Sequence, residues 1–215
     1  MAINTLTNGA PSAEILESST TGWLSQCRQL HEAPAFGSFV RAPEDERRAI
    51  IYGVVSHIET VPFDASRRPS ALWTREDDMD ARHPQIGKLL RTTFSSRCIG
   101  WSEKYQSGSE VSNSAIIHAV PPQPPRLHSF CNPCTSDEVR RFTAKTDWLR
   151  LLTEGAGGYD IKGASVDELL VACCREAIAA HDNDRAYAVR LGQALALPLR
   201  ADYHRLRALL SRLLV

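Results

Sequence analysis

The segment "HSFCNPC" sets His128, Cys131 and Cys134 at the spacing of a zinc knuckle. Two thiolates in C-x2-C hold half of a tetrahedral zinc site, and a histidine can add a third ligand. The rest would have to come from Cys173, Cys174 or another histidine. Adjacent cysteines on a helix point about 100° apart, so only one of that pair could contribute. No second C-x2-C follows, and two buried thiols around a Pro turn are the plainer reading; no metal is assigned. Cys134 stands just before Thr135-x-x-Glu138, a helix start that would lower its pKa. Without a surrounding βαβ pattern, a redox role is the lesser alternative.

A second candidate is the loop "VPFDASRRPSAL", with Arg67 and Arg68 between Pro62 and Pro69. Proline restricts φ on both sides, so two guanidiniums on a stiff loop could take phosphate or carboxylate bidentately. With Arg126 of "PPQPPRLH" they form the candidate docking or anion-binding set. The competing reading pairs one arginine with Asp64 and leaves the other in water.

Other chemistries lack their residues. No G-x-x-x-x-G-K-[ST] occurs. "IGKLL" and "GAGGYDIKG" hold fragments of a phosphate loop in the wrong order and context. There is no G-x-S-x-G, and "HEAPAF" lacks the second histidine of a zincin helix. His57, His118 and His204 read as surface or half-buried residues, and "REDDMD" as a solvated helix start. With no catalytic constellation, neither enzymatic activity nor a cofactor is expected. The charge is balanced, 25 basic against 25 acidic residues, which argues against nucleic-acid binding dominated by counterion release. No run approaches a membrane span, and the N-terminal stretch has neither a basic nor an apolar signal region. A soluble cytoplasmic protein with reduced thiols is expected.

The elements that must position these residues fall into two halves. Ile15 to Thr20, Leu24 to Leu30, Phe36 to Arg41, Ala49 to Glu59, Ser96 to Trp101 and Asn113 to Val120 read as six short strands, with a tight turn at Thr21-Gly22. In the fourth, Ile50, Tyr52, Val54 and Ile58 share one face, and Ile51, Gly53 and Val55 the other. Apolar character on both faces suits a strand central to a closed sheet, and Gly53 suggests a bend or a close backbone approach. Between residues 74 and 94 the pattern turns helical, with Pro84 at the start and Ile86, Leu89, Leu90 and Phe94 on one stripe. Four prolines in "VPPQPPRLH" make a stiff spacer or, less simply, a ligand for a Pro-binding groove. Capping boxes at Thr135/Glu138 and Ser165/Glu168, and Asp182 or Asp184, then open helices. These carry Val139, Phe142, Leu149, Leu152; Leu169, Leu170, Cys173, Ala177; and Tyr187, Leu191, Leu195. Pro198 precedes a last helix with Leu199, Tyr203, Leu206, Leu210 and Leu213 at the helical repeat. The fold class expected is α+β: a small six-stranded, mostly antiparallel barrel with a helical insertion, followed by a C-terminal helical bundle. Its boundaries are a disordered N-terminus over 1–12, barrel 13–120 with insertion 74–94, Pro-rich linker 121–134 and bundle 135–215.

The segment "ESSTTGWLSQCRQLHEAPAFGSFVRA…IYGVVSHIE" resembles the HerA–ATP synthase (HAS) barrel. In that family a Thr-containing strand pair leads to a "GsfV" strand and then a "YGvV" strand. Here these are Gly37-Ser38-Phe39-Val40 and Tyr52-Gly53-Val54-Val55. "DASRRPSAL", "PQIGKLLRTTF" and "PPQPPRLHSF" are similar to stand-alone proteins of this kind, and the likeness covers residues 1–135, with the helical tail matched loosely. The resemblance implies an assembly role, since such barrels form a collar on hexameric ATPases of the HerA and rotary kinds. This chain has the barrel without the P-loop motor. The expected function is therefore a non-enzymatic adaptor docking on a HerA-type ATPase, or a homo-oligomer formed through its barrel. The alternative is a single-strand nucleic-acid-binding barrel using Arg67, Arg68, Arg126 and exposed aromatics such as Trp73 or Trp101.

Overall fold

Alternating strands of the first half of the chain, joined by one from the second half, close on themselves. The computed structural model describes residues 13–44, 49–64, 66, 69–72, 83, 85–103, 115–153 and 164–213. β1 (Ala13–Ser18) and β2 (Gly22–Cys27) form a hairpin with Ser18 opposite Trp23. Its turn is closed by the Ser19 N–H donating to the Gly22 carbonyl at 2.8 Å. β3 (Phe39–Glu44) pairs with β4 (Ala49–Pro62), and β4 runs against β5 (Leu90–Glu103) from end to end. β5 returns to β2. β7 (Phe130–Pro133) slots between β1 and β3, so that the ring β1-β2-β5-β4-β3-β7 is closed and antiparallel throughout. Closure leaves no long unpaired edge.

The six barrel strands are not quite the six expected. Asn113 to Val120 contributes only β6 (Ile116–Ile117), a two-residue addition to β5 outside the ring; residues 113 and 114 lie outside the described set. The sixth position belongs to β7, inside the segment read as a Pro-rich linker. Four residues are too few to display a period, and the surrounding prolines mask them. The helical stripe expected over 74–94 shrinks to α1 (Ile86–Leu89), with residues 73–82 outside the described set. From Leu90 the chain is strand. Thr92, Phe94, Ser96 and Cys98 alternate into the barrel, and pairing to β2 and β4 at once outweighs the helical pattern.

Inside the ring, Ile15, Trp23, Val40, Ile51, Val55, Phe94 and Cys98 form one core. Trp23 takes the largest share of it, and Gly53 makes this possible. A Cβ at Gly53 would sit 2.4 Å from Trp23 Cη2 and 3.0 Å from the Arg97 carbonyl. The barrel is thus filled by side chains.

The second face of β4 looks outward, toward helices. Phe39, Tyr52, Val54 and Ile99 join a core built with α2 (Ser136–Phe142), α3 (Trp148–Thr153), α4 (Val166–Ala180), α5 (Arg185–Ala196) and α6 (Tyr203–Leu213). The strand expected to be apolar on both faces is therefore lined by two different cores. Gly37, at φ +84°, lets the start of β3 touch α4, where a Cβ would meet Ala172 Cβ at 2.4 Å. The helix starts follow their caps. Thr135 and Glu138 make both halves of the capping box, and Asp184 accepts from the N–H groups of Ala186 and Tyr187. Ser165 caps α4 through the Glu168 N–H, whereas the Glu168 carboxylate is held by Arg212 of α6 at 2.6 and 2.8 Å. The helix read after Thr135 is two, α2 and α3, separated at Thr143, whose hydroxyl donates back to the Val139 carbonyl at 2.7 Å. No helix among the described residues is long and apolar enough to cross a membrane.

Candidate functional site

The residues of the "HSFCNPC" motif do not meet. Cys131 and Cys134 are three apart on an extended segment, and an odd separation sends two side chains to opposite faces. Cys131 points into the barrel core, while Cys134 packs against the helical core. His128 occupies a left-handed turn (φ 63°) ahead of β7, with its side chain 77% exposed and Nδ1 2.6 Å from Glu14 Oε1. The three cannot share an ion in this arrangement. No group of three or more His, Cys, Asp or Glu side chains suited to a metal occurs among the described residues. Burial pushes the thiols of Cys98, Cys131 and Cys174 up to about 12 and that of Cys27 up to about 11. Cys134 and Cys173 are also driven upward by burial, so the helix start beside Cys134 does not activate it.

Arg67, Arg68 and Trp73 lie outside the described residues. Asp64, next to that loop, accepts from the Ser66 hydroxyl at 2.6 Å and the Ser66 N–H at 2.9 Å, and these bonds lower its pKa. Arg126 stands in the turn before β7, where its carbonyl accepts from the Ser129 hydroxyl at 2.7 Å. Trp101 is half-buried against the barrel core and not the exposed aromatic expected.

Two concave surfaces emerge that no motif announced. On the wall formed by β2, β1 and β7, Glu14, Leu16, Gln26, Arg28 and Phe130 line a groove of about 370 Å³. Phe130, opposite Glu14 in the register, is 50% exposed. Around the ring this wall is opposite β3, β4 and β5, the strands that carry the helices.

The second surface is a cleft of about 390 Å³ between α2 and the helix-bearing wall. Its floor is aromatic. The Phe142 ring stands 4.8 Å from those of both Tyr52 and His118, and Ile50 and Ile116 flank it. The Tyr52 hydroxyl is hydrogen-bonded with the Ser102 side chain, while burial raises its pKa. His118 Nε2 lies 2.9 Å from the Phe142 carbonyl, which requires the proton on Nε2 and leaves Nδ1 an acceptor. Burial lowers the His118 pKa, opposed in part by that hydrogen bond, so the ring is neutral near pH 7. At the rim stand Glu138, Arg141 and Lys145. The Glu138 carboxylate is committed, 3.1 Å from Arg41 Nε and accepting from the Thr135 N–H at 2.9 Å.

The fold and these two surfaces define a small, filled β-barrel backed on one side by helices. No family model matches the chain, and no curated protein matches it.

Proposed function

We propose that the chain is a non-enzymatic assembly module of the HAS-barrel kind, docking on a HerA-type hexameric ATPase through the β2-β1-β7 wall of its barrel. The observation that carries this reading is the unequal covering of the barrel. Its own helices cover β3, β4 and β5, whereas the opposite wall keeps an open groove with a half-exposed phenylalanine at its edge. A barrel packed to its axis offers a partner only its outside. A large aromatic beside a groove is the usual anchor of a protein interface, with Glu14 and Arg28 as polar rim. The two segments behind the family likeness serve packing: Gly37 of "GSFV" admits α4, and Gly53 of "YGVV" admits Trp23. The second preserves barrel shape, which a docking module requires.

The test is size-exclusion chromatography with light scattering, on the chain alone and mixed with a HerA-type ATPase encoded beside it. Co-elution with the ATPase is expected, and Phe130→Asp should abolish it without changing the circular dichroism spectrum. Self-association lost in the same variant would assign the wall to a homo-oligomer. A strict monomer that captures no ATPase, or capture indifferent to Phe130→Asp, sinks the proposal.

A further inference from the structure

We infer that the cleft between α2 and the barrel wall is a binding site for a small organic anion, its apolar body against Ile50 and Ile116 and its charged head at Arg141 and Lys145. The site has the make-up of a ligand pocket: concave, largely apolar, with a few convergent polar groups and a volume in the range that small molecules occupy. Its lining carries two cations and one carboxylate, with the Asp147 carboxylate near enough to act on His118. Glu138 is spent on Arg41 and the helix cap, while Arg141 and Lys145 make no ion pair among the described residues. Both sit one helical turn apart at the C-terminal end of α2 and just beyond it. The helix dipole favours cations there, but the Val139 and Phe142 carbonyls are taken by Thr143 and His118 and cannot neutralise two full charges. An anion would meet a guanidinium able to bond bidentately and an ammonium beside it, against a surface that excludes water from one side.

The floor narrows the ligand class. Tyr52 and Phe142 are almost fully buried and back the floor, while the half-buried Ile50 and Ile116 supply the apolar surface a ligand would touch. A bare inorganic anion would leave that surface unused. An anion on an aromatic or branched aliphatic body would cover it, and the neutral Nδ1 of His118 could accept from a hydroxyl or amide on that body. Phosphate monoesters and carboxylates share this chemistry. This site is separate from the wall assigned to docking, so each stands or falls alone.

The experiment titrates phenyl phosphate, benzoate and inorganic phosphate into the full-length protein. Heat is followed by calorimetry, and the His118 imidazole resonances by NMR. At least one of the two aromatic anions should bind and shift the His118 signals, and it should bind about tenfold or more tightly than inorganic phosphate. Which of the two binds better distinguishes a phosphate from a carboxylate site. In Arg141→Ala/Lys145→Ala, whose substitutions are both on exposed residues, affinity should fall about tenfold or more with the thermal midpoint unchanged. Ile116→Glu, which places a like charge on the floor, should weaken the aromatic anions and spare any binding of inorganic phosphate elsewhere. Three results overturn the inference: none of the three probes binding, binding without a His118 shift, or affinity indifferent to the double substitution.

Discussion

At the residue scale, one position shows how closely the barrel is fitted. Gly53 lies where β4 shifts register against β5, and the space a methyl group would need is held by Trp23. Trp23 is itself 1% exposed and bounded by the rest of the barrel core, so its ring cannot swing aside cheaply. Gly53→Ala should therefore destabilise the protein by about 1–3 kcal/mol through overpacking, against the usual small gain from replacing a strand glycine. Urea unfolding measures it directly. An unchanged or higher midpoint would mean that the indole relocates and that Gly53 does not shape the core. The double apolar face of "IIYGVV" and its glycine were readable from alternation alone. The identity of the ring pressing on that glycine was not, because Trp23 comes from a strand thirty positions earlier.

Elements were readable in proportion to the local signals they carry. Thr135, Ser165 and Asp184 each begin a helix because a short oxygen-bearing side chain satisfies backbone N–H groups just ahead of it, which needs only neighbouring residues. β7 has no such signal. Its place is set by the gap between β1 and β3, and Cys131 and Cys134 part to opposite faces because the segment is extended. The cleft was equally silent, since Tyr52, His118 and Phe142 come from separate segments with no shared spacing. The clasp of α6 on α4 is also a tertiary matter. Arg205 grips Asp167 at 2.6 and 2.8 Å, Arg212 grips Glu168, and Leu209 is buried behind them. The ion pairs are open to solvent and screened, so the apolar contact should dominate. Leu209→Ala is expected to cost about 2–4 kcal/mol in chemical unfolding at any salt concentration. Arg205→Ala/Arg212→Ala should have a smaller effect that fades in molar salt. Equal losses from the two variants would reverse this ranking.

At the scale of the whole molecule, the barrel and the helices are joined by a shared core and not only by a tether. Phe39, Tyr52, Val54 and Ile99 face outward from the barrel and are buried only because helices lie on them. Each such side chain stabilises the pairing by roughly 1.5–3 kcal/mol, and uncovering all of them would leave an apolar patch no barrel of this size tolerates in water. Phe39 adds edge contact with Trp148 at 5.5 Å, and Arg41 reaches Glu138 across the same boundary. The two halves should therefore unfold as one cooperative unit. The protein supplies its own reporters, since Trp23 is buried in the barrel core and Trp148 in the helical core. In Trp23→Phe/Trp73→Phe/Trp101→Phe, loss of tryptophan fluorescence during urea unfolding reports the helical core through Trp148; in Trp73→Phe/Trp148→Phe it reports the barrel through Trp23 and Trp101. Within each variant the fluorescence midpoint should coincide with that from far-ultraviolet circular dichroism. A barrel signal surviving after the helical signal has gone would show a self-sufficient barrel. The outward aromatics would then be a surface that the helices visit, and the β3-β4-β5 wall, not only the one opposite, would be open to a partner.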